Sequence, residues 1–198
     1  MFFRREEIII RSGDLNNSVF YLSQGYIRAC TVSKEGNELT LHIFGAPSVF
    51  PILWDTNSEF SEHCFESLTP AEVYRGARDK LKELIDKDPD VSSEIIKQLH
   101  TFAQSVVKKL ESKIFYVAYQ QVAAAILDLA QFFSSKNTSS VTISYWFTHQ
   151  DLANITGLAR ETVSLEISKL LRNKLIYFDN HFIVIPRIEN LKKELHKD

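Results

Sequence analysis

The chain has 198 residues, 44% of them hydrophobic and 12% aromatic, and a formal net charge of −2. That balance excludes a disordered polymer and suits one large or two small globular domains with a real core. It also excludes a globally basic nucleic-acid coat, so any phosphate-facing patch has to be local. The opening MFFRREEIII carries too short an apolar run for a signal peptide, and no stretch approaches a transmembrane span. A soluble cytoplasmic protein without a membrane partner is expected.

Residues 1 to about 76 read as β-structure. Ile8–Ile10, Val19–Leu22, Tyr26–Val32 and Leu39–Phe44 are apolar or alternating runs separated by glycine-bearing turns. A loop-rich stretch marked by Gly45, Pro47 and Pro51 follows, and Phe65–Leu68 with Val73-Tyr74 close the set. Short strands at this spacing predict an antiparallel barrel or jelly roll. Cys30 and Cys64, the chain's two cysteines, are too few for an iron–sulfur cluster or a closed zinc site and read as reduced thiols packed in strands.

Residues 78–87 predict a short amphipathic helix that stops near Pro89, and a long helix runs from about Asp90 to Ile114. Ile95, Leu99, Phe102, Val106 and Leu110 step by alternating fours and threes, a coiled-coil-like seam. Ile96, Ala103, Val107 and Ile114 form a second stripe. A helix apolar on two sides needs two partners: the chain's own barrel and a second copy, or two faces of one core. Residues 118–133 predict another helix on Val122, Ile126, Leu129 and Phe133, then a polar loop from Ser134 to Ser140.

The stretch FTHQDLANITGLARETVSLEISKLLRNKLI predicts two helices joined by a tight turn. Thr148 is a hydroxyl N-cap with Asp151 three residues on. Gly157 supplies cheap positive φ at the turn, and Val163, Ile167, Leu170 and Leu171 give the second helix its apolar side. Arg160, Glu161, Thr162, Ser164 and Glu166 leave the opposite side polar. This is the layout of a helix-turn-helix whose second helix enters the DNA major groove, or of two core-packing helices. Ile176–Phe178 and Phe182–Ile185 flank a hairpin, and a helix from Ile188 to Leu195 ends the chain.

The run THQDLANITGLARETVS resembles the helix-turn-helix of bacterial Crp/Fnr-type transcription regulators, and IYFDNHFIVIP resembles their wing. SGDLNNSVFYLSQGYIRACTVSKEGNELTLHIFG resembles their sensor barrel, which the chain enters within the first strand. The resemblance implies an α+β protein: a jelly-roll-like barrel over 1–88, a dimerisation helix over 89–117, and a winged helix-turn-helix over 118–198. It implies a homodimer that binds double-stranded DNA at a palindromic site and contacts RNA polymerase. Base contacts then fall to Arg160, Glu161, Ser164 and Leu165. Arginine can pair bidentately with guanine and glutamate can accept from cytosine. Arg160 has the alternatives of a phosphate contact or a salt bridge with Glu161. Leu165 stands where the family usually has a second arginine, so the half-site is expected to differ at one position. Thr148, His149, Gln150, Thr162, Lys169, Arg172 and Lys174 are the phosphate-contact candidates, and Ile95, Leu99, Phe102, Val106 and Leu110 the dimer interface.

No cofactor is expected. In the cyclic-nucleotide branch a Gly-Glu pair and an Arg-Ser pair hold the ribose and the cyclic phosphate. Pro51 and Ile52 stand at the first pair, Ser61 and Glu62 near the second, and Glu59, Glu62 and Glu66 would repel an anion. The iron–sulfur branch needs cysteines this chain lacks. Haem, on His42 or His63, is disfavoured because a lone barrel histidine is more often structural. Trp54, Phe50 and Phe60 read as core. No metal or catalytic constellation is apparent, which weakens the alternatives of a cupin-like enzyme or a ligand-binding module without DNA binding.

Overall fold

The structure is a computed structural model that describes residues 1–15, 17–52, 61, 63–134 and 140–196. Trp54, Glu59, Phe60 and Glu62, and positions 135–139 of the polar loop, lie outside the described residues. The chain divides into two compact units, Met1–Val107 and Lys108–Asp198.

The first unit holds two four-stranded antiparallel sheets. One has the order β1 (Phe2–Phe3), β8 (Ala71–Ala77), β3 (Ser18–Gln24), β6 (Ser48–Phe50). The other has the order β2 (Ile8–Ile10), β7 (Cys64–Ser67), β4 (Tyr26–Val32), β5 (Glu38–Gly45). Among the described residues the two sheets do not join into one closed ring, so the unit is a jelly-roll-like pair of sheets around a single core. The core is aromatic: the Phe20 and Phe50 rings stack at 5.4 Å and the Phe50 and Phe65 rings at 5.6 Å. Gly25 turns β3 into β4 at φ +93°, and a Cβ there would lie 2.5 Å from the Pro70 carbonyl oxygen. Only glycine fits both conditions.

Strand alternation assigns side chains to faces. In β4, Ile27 and Ala29 join the core, so Arg28 and Cys30 point to the opposite face. Their register partners are Glu66 and Cys64 on β7. Arg28 donates to Glu66 at 2.9 Å and to Glu38 at 2.8 Å. Cys30 and Cys64, with Cα atoms 5.1 Å apart, form a disulfide. This corrects the expectation of two reduced thiols: register sets them directly opposite, which a 34-residue sequence separation does not reveal.

Helix α1 spans Arg78–Lys87 and α2 spans Pro89–Phe115. Proline at the first helical position loses no intrahelical hydrogen bond, and Asp88 Oδ1 accepts from the Asp90 amide at 3.0 Å. Leu99 and Phe102 pack against the chain's own core. Beside them His42 Nδ1 lies 2.8 Å from Ser105 Oγ, and the His42 ring meets Phe102 edge-on at 5.1 Å. Gln98 exchanges hydrogen bonds with both backbone groups of Val49, at 3.1 and 2.7 Å, which covers the edge strand β6. The expected seam is therefore split. Leu99 and Phe102 face inward and Ile95 is half-buried, while Val106 and Leu110 are exposed. The outward line is Ile96, His100, Ala103, Val107, Leu110 and Ile114, all exposed. Its steps of four and three are those of a coiled-coil seam.

In the second unit, α3 (Ala118–Phe133), α4 (His149–Thr156), α5 (Arg160–Arg172) and α6 (Ile188–Glu194) pack with a small antiparallel sheet. That sheet has the order β10 (Tyr177–Asp179), β11 (Phe182–Ile185), β9 (Val141–Thr142). Val122, Ile126, Ile143, Leu152, Ile167, Leu170, Ile185 and Leu191 are almost wholly buried. The α3 stripe from Val122 to Phe133 faces this core throughout. No described helix is long and apolar enough to cross a membrane.

Candidate nucleic-acid interface

Helix α4 begins on a reciprocal cap. The Thr148 hydroxyl accepts from the Asp151 amide at 3.1 Å, and Asp151 Oδ2 accepts from the Thr148 amide at 2.8 Å. The Thr148 hydroxyl also donates to Asp151 Oδ2 at 2.8 Å, so its amide and hydroxyl are both engaged within the helix start. At the other end Gly157 adopts φ +65° and donates to the Ala153 carbonyl at 2.7 Å, closing α4.

Helix α5 starts three residues later, at Arg160, with Ala159 at its N-cap offering no side-chain hydrogen bond. Its first amides, and the positive end of the helix dipole, are left for an external acceptor. Val163, Ile167 and Leu170 anchor one side with 1% exposure or less. Opposite them, Glu161, Leu165, Ser168 and Arg172 form an exposed ridge at helical spacing, and Leu165 is 64% exposed. Arg160 is exposed at the leading end, with Ser164 one turn behind it and half-buried. Thr162 is half-buried on the other flank.

Two side chains depart from the sequence reading. Glu166 belongs to the buried flank, 7% exposed, and pairs with Lys169 Nζ at 2.8 Å. It leaves the polar face, and Lys169 is committed to it in part. Ser168 was not among the expected contacts, yet it lies on the exposed ridge and its hydroxyl donates to the Ser164 carbonyl at 2.8 Å. Helical rotation from Leu165 would have found it.

The helix ends without glycine. Lys174 takes φ +57°, its amide donating to Leu171 O at 2.9 Å while the Leu175 amide donates to Leu170 O at 3.0 Å. Arg172 and Lys174 are both exposed at this end, and His149 (half-buried) and Gln150 (exposed) sit at the start of α4. The wing turn places Asn180 and His181 at φ +46° and +73°. Two successive positive φ values are the signature of a tight hairpin whose twist suits the flanking strands. Trp146, half exposed, lies against the His181 ring at 5.4 Å.

A helix pair with this cap, this turn and an exposed second helix, followed by a hairpin, matches the Crp-like helix-turn-helix domain over residues 120–194. Residues 1–88 match the cyclic nucleotide-binding domain. The chain belongs to the Crp/Fnr-type transcription regulators. Among relatives, the global nitrogen regulator of Nostoc sp. is 21% identical over 194 residues, 97% of this chain and 87% of the relative. The CRP-like cAMP-activated global transcriptional regulator of Mycobacterium tuberculosis is 21% identical over 96% of this chain and 85% of its own. Among solved structures, a CRP-family transcriptional regulator of Thermus thermophilus, TTHB099, superposes with a TM-score of 0.83 at 18% identity, covering 100% of this chain and 97% of that one. FixK2 of Bradyrhizobium japonicum gives a TM-score of 0.81 at 16% identity, covering 98% and 94%. These kinships point to a regulator and give the enzyme alternative no support.

The family contains a cyclic-AMP-activated member, so the sensor unit of this regulator bears on its ligand. Among the described residues there Arg28 is the buried cation, and it points away from the core, held between Glu38 and Glu66. Burial opposes its charge, but the two carboxylates outweigh that and raise its pKa. One guanidinium thus faces two carboxylates, Glu38 and Glu66. His42 is committed to packing α2 onto the sheets.

Proposed function

We propose that this regulator works as a homodimer that reads a palindromic DNA site, acting in the cytoplasm with RNA polymerase as the partner the family implies. One α5 helix from each protomer enters a major groove. Arg160, Glu161, Ser164 and Leu165 face base edges, joined by Ser168. His149, Gln150, Thr162, Lys169, Arg172 and Lys174 contact phosphates. The single observation that carries this is the exposed α5 ridge opposite Val163, Ile167 and Leu170. A helix enclosed by core on all sides would have no such free face. Dimerisation uses the outward line of α2 from Ile96 to Ile114.

The sensor unit is proposed to take neither cyclic nucleotide, iron–sulfur cluster nor haem. The orientation and pairing of Arg28 and the packing role of His42 support this. Selection of bound duplexes from a random pool tests the function. Enrichment of an inverted repeat, with half-sites about 10 bp apart centre to centre or a multiple of that, is the expected result. Absence of any enriched sequence would overturn it.

A further inference from the structure

A cavity of about 410 Å³ opens within the second unit, inside the ~300–1,000 Å³ range of small-molecule sites. Its walls come from the last turns of α2, from α3, from the end of α4 and from α6. Ala124, Leu127, Ile155 and Leu195 make one side apolar, while Lys108, Lys109 and Lys113 bring three ammonium groups from adjacent turns of α2. Lys113 donates to Gln121 Oε1 at 3.2 Å, and Lys192 adds a fourth ammonium from α6, paired with Glu189 at 2.9 Å. Among the lining residues the carboxylates are Asp128 and Glu111, so positive charge is in excess.

We propose that this cavity is a binding site for a small organic acid, with its carboxylate at Lys109 and Lys113 and its apolar body against Leu127 and Ile155. Anionic head and apolar body are both needed: the lysines would not favour a neutral hydrocarbon, nor the apolar wall an inorganic ion. The lysines are held at a cost that an anion relieves. Burial, then the like charge of Lys113, pushes Lys109 down to about 8, against the pull of Asp128. Burial lowers Lys113 as well, although this residue stays exposed. Asp128, which keeps solvent exposure, is itself pushed up by burial, against the pull of Lys108 and Lys109. A bound carboxylate would restore to both ammonium groups the stabilisation that desolvation removes. Ile155 and Thr156 are the last residues of α4, directly before the Gly157 turn, so an occupant would touch the reader rather than the sensor sheets.

The test uses the full chain without DNA, so it stands or falls separately from the reading proposed above. Titration calorimetry and thermal unfolding are run with 1-naphthoate and with its neutral analogue 1-naphthamide. Saturable binding of naphthoate with a raised Tm, and at least tenfold weaker binding of the amide, is expected. Lys109→Met with Lys113→Met should weaken naphthoate at least tenfold while retaining the native circular dichroism. Ala124→Trp, which fills the cavity and keeps both lysines, should do the same. No saturable binding, equal binding of the amide, or full affinity in a folded double-methionine variant would each overturn the site.

Discussion

Leu110→Glu is the sharpest perturbation of the proposed dimer. Leu110 is 59% exposed on the outward line of α2, beside Val107 at 54% and Ile114 at 63%. Fully burying a leucine contributes about 1.5–3 kcal/mol, so the fraction still exposed leaves about 1–2 kcal/mol for a partner to gain. Two-fold symmetry doubles this to about 2–4 kcal/mol, and each 1.4 kcal/mol is about a tenfold change in Kd. Dissociation should therefore become at least about 30-fold easier, before any repulsion between the two glutamates. Sedimentation equilibrium over a dilution series reads this directly. Val32→Glu, on an equally exposed valine of β4 at 52%, should leave the dissociation constant unchanged. Phe102→Glu should instead lower Tm, because Phe102 packs on the chain's own core. An unchanged dissociation constant for Leu110→Glu would refute the seam.

Arg160→Ala is expected to cost about 1–3 kcal/mol at one base position and to relax preference there; an equal loss on all sequences would mark a phosphate contact. Arg172→Ala should weaken binding uniformly. With two copies per dimer, the slope of log affinity against log salt should fall in magnitude by about 1.8, and an unchanged slope would remove Arg172 from the interface. Lys109 titrates near 8 when folded and at its ordinary 10.5 when unfolded. Between those values the unfolded chain binds the extra proton, so stability should rise with pH through that window, with the penalty fully present below it. Discounted for partial solvent access, the gain is about 1–3 kcal/mol. Lys109→Met should reduce that slope in urea unfolding, leaving the part that the lowered Lys113 contributes, and a slope unchanged in the variant would show another group responsible. Reducing the Cys30–Cys64 disulfide, or replacing both cysteines by alanine, should cost about 2–4 kcal/mol. Identical urea midpoints for oxidised and reduced protein would contradict it.

The reader was the most legible part of the sequence because its signals are local. Thr148 and Asp151 are three residues apart, Gly157 sits where φ must be positive, and Val163 to Leu170 keep helical period. The misses share a different origin. Strands β1 and β6, of two and three residues, are too short for any period, and β6 is bracketed by prolines. Two apolar stripes on α2 look alike in sequence, and only the site of the core tells which faces inward. Glu166 looks like a surface residue until the rotation of α5 is known. The disulfide depends on register between β4 and β7, and the lysine-lined cavity gathers residues from four helices. Those are tertiary facts that no window of sequence contains.

The spacing of the two half-sites tests the dimeric reader most directly. Once a selected inverted repeat is in hand, inserting five base pairs at its centre turns one half-site by about half a helical turn, to the far side of the duplex. A rigidly paired dimer should then lose at least tenfold in affinity, measured by fluorescence anisotropy at fixed salt. Unchanged affinity would mean that each chain reads DNA alone, and would contradict the α2 dimer as the frame for the two α5 helices.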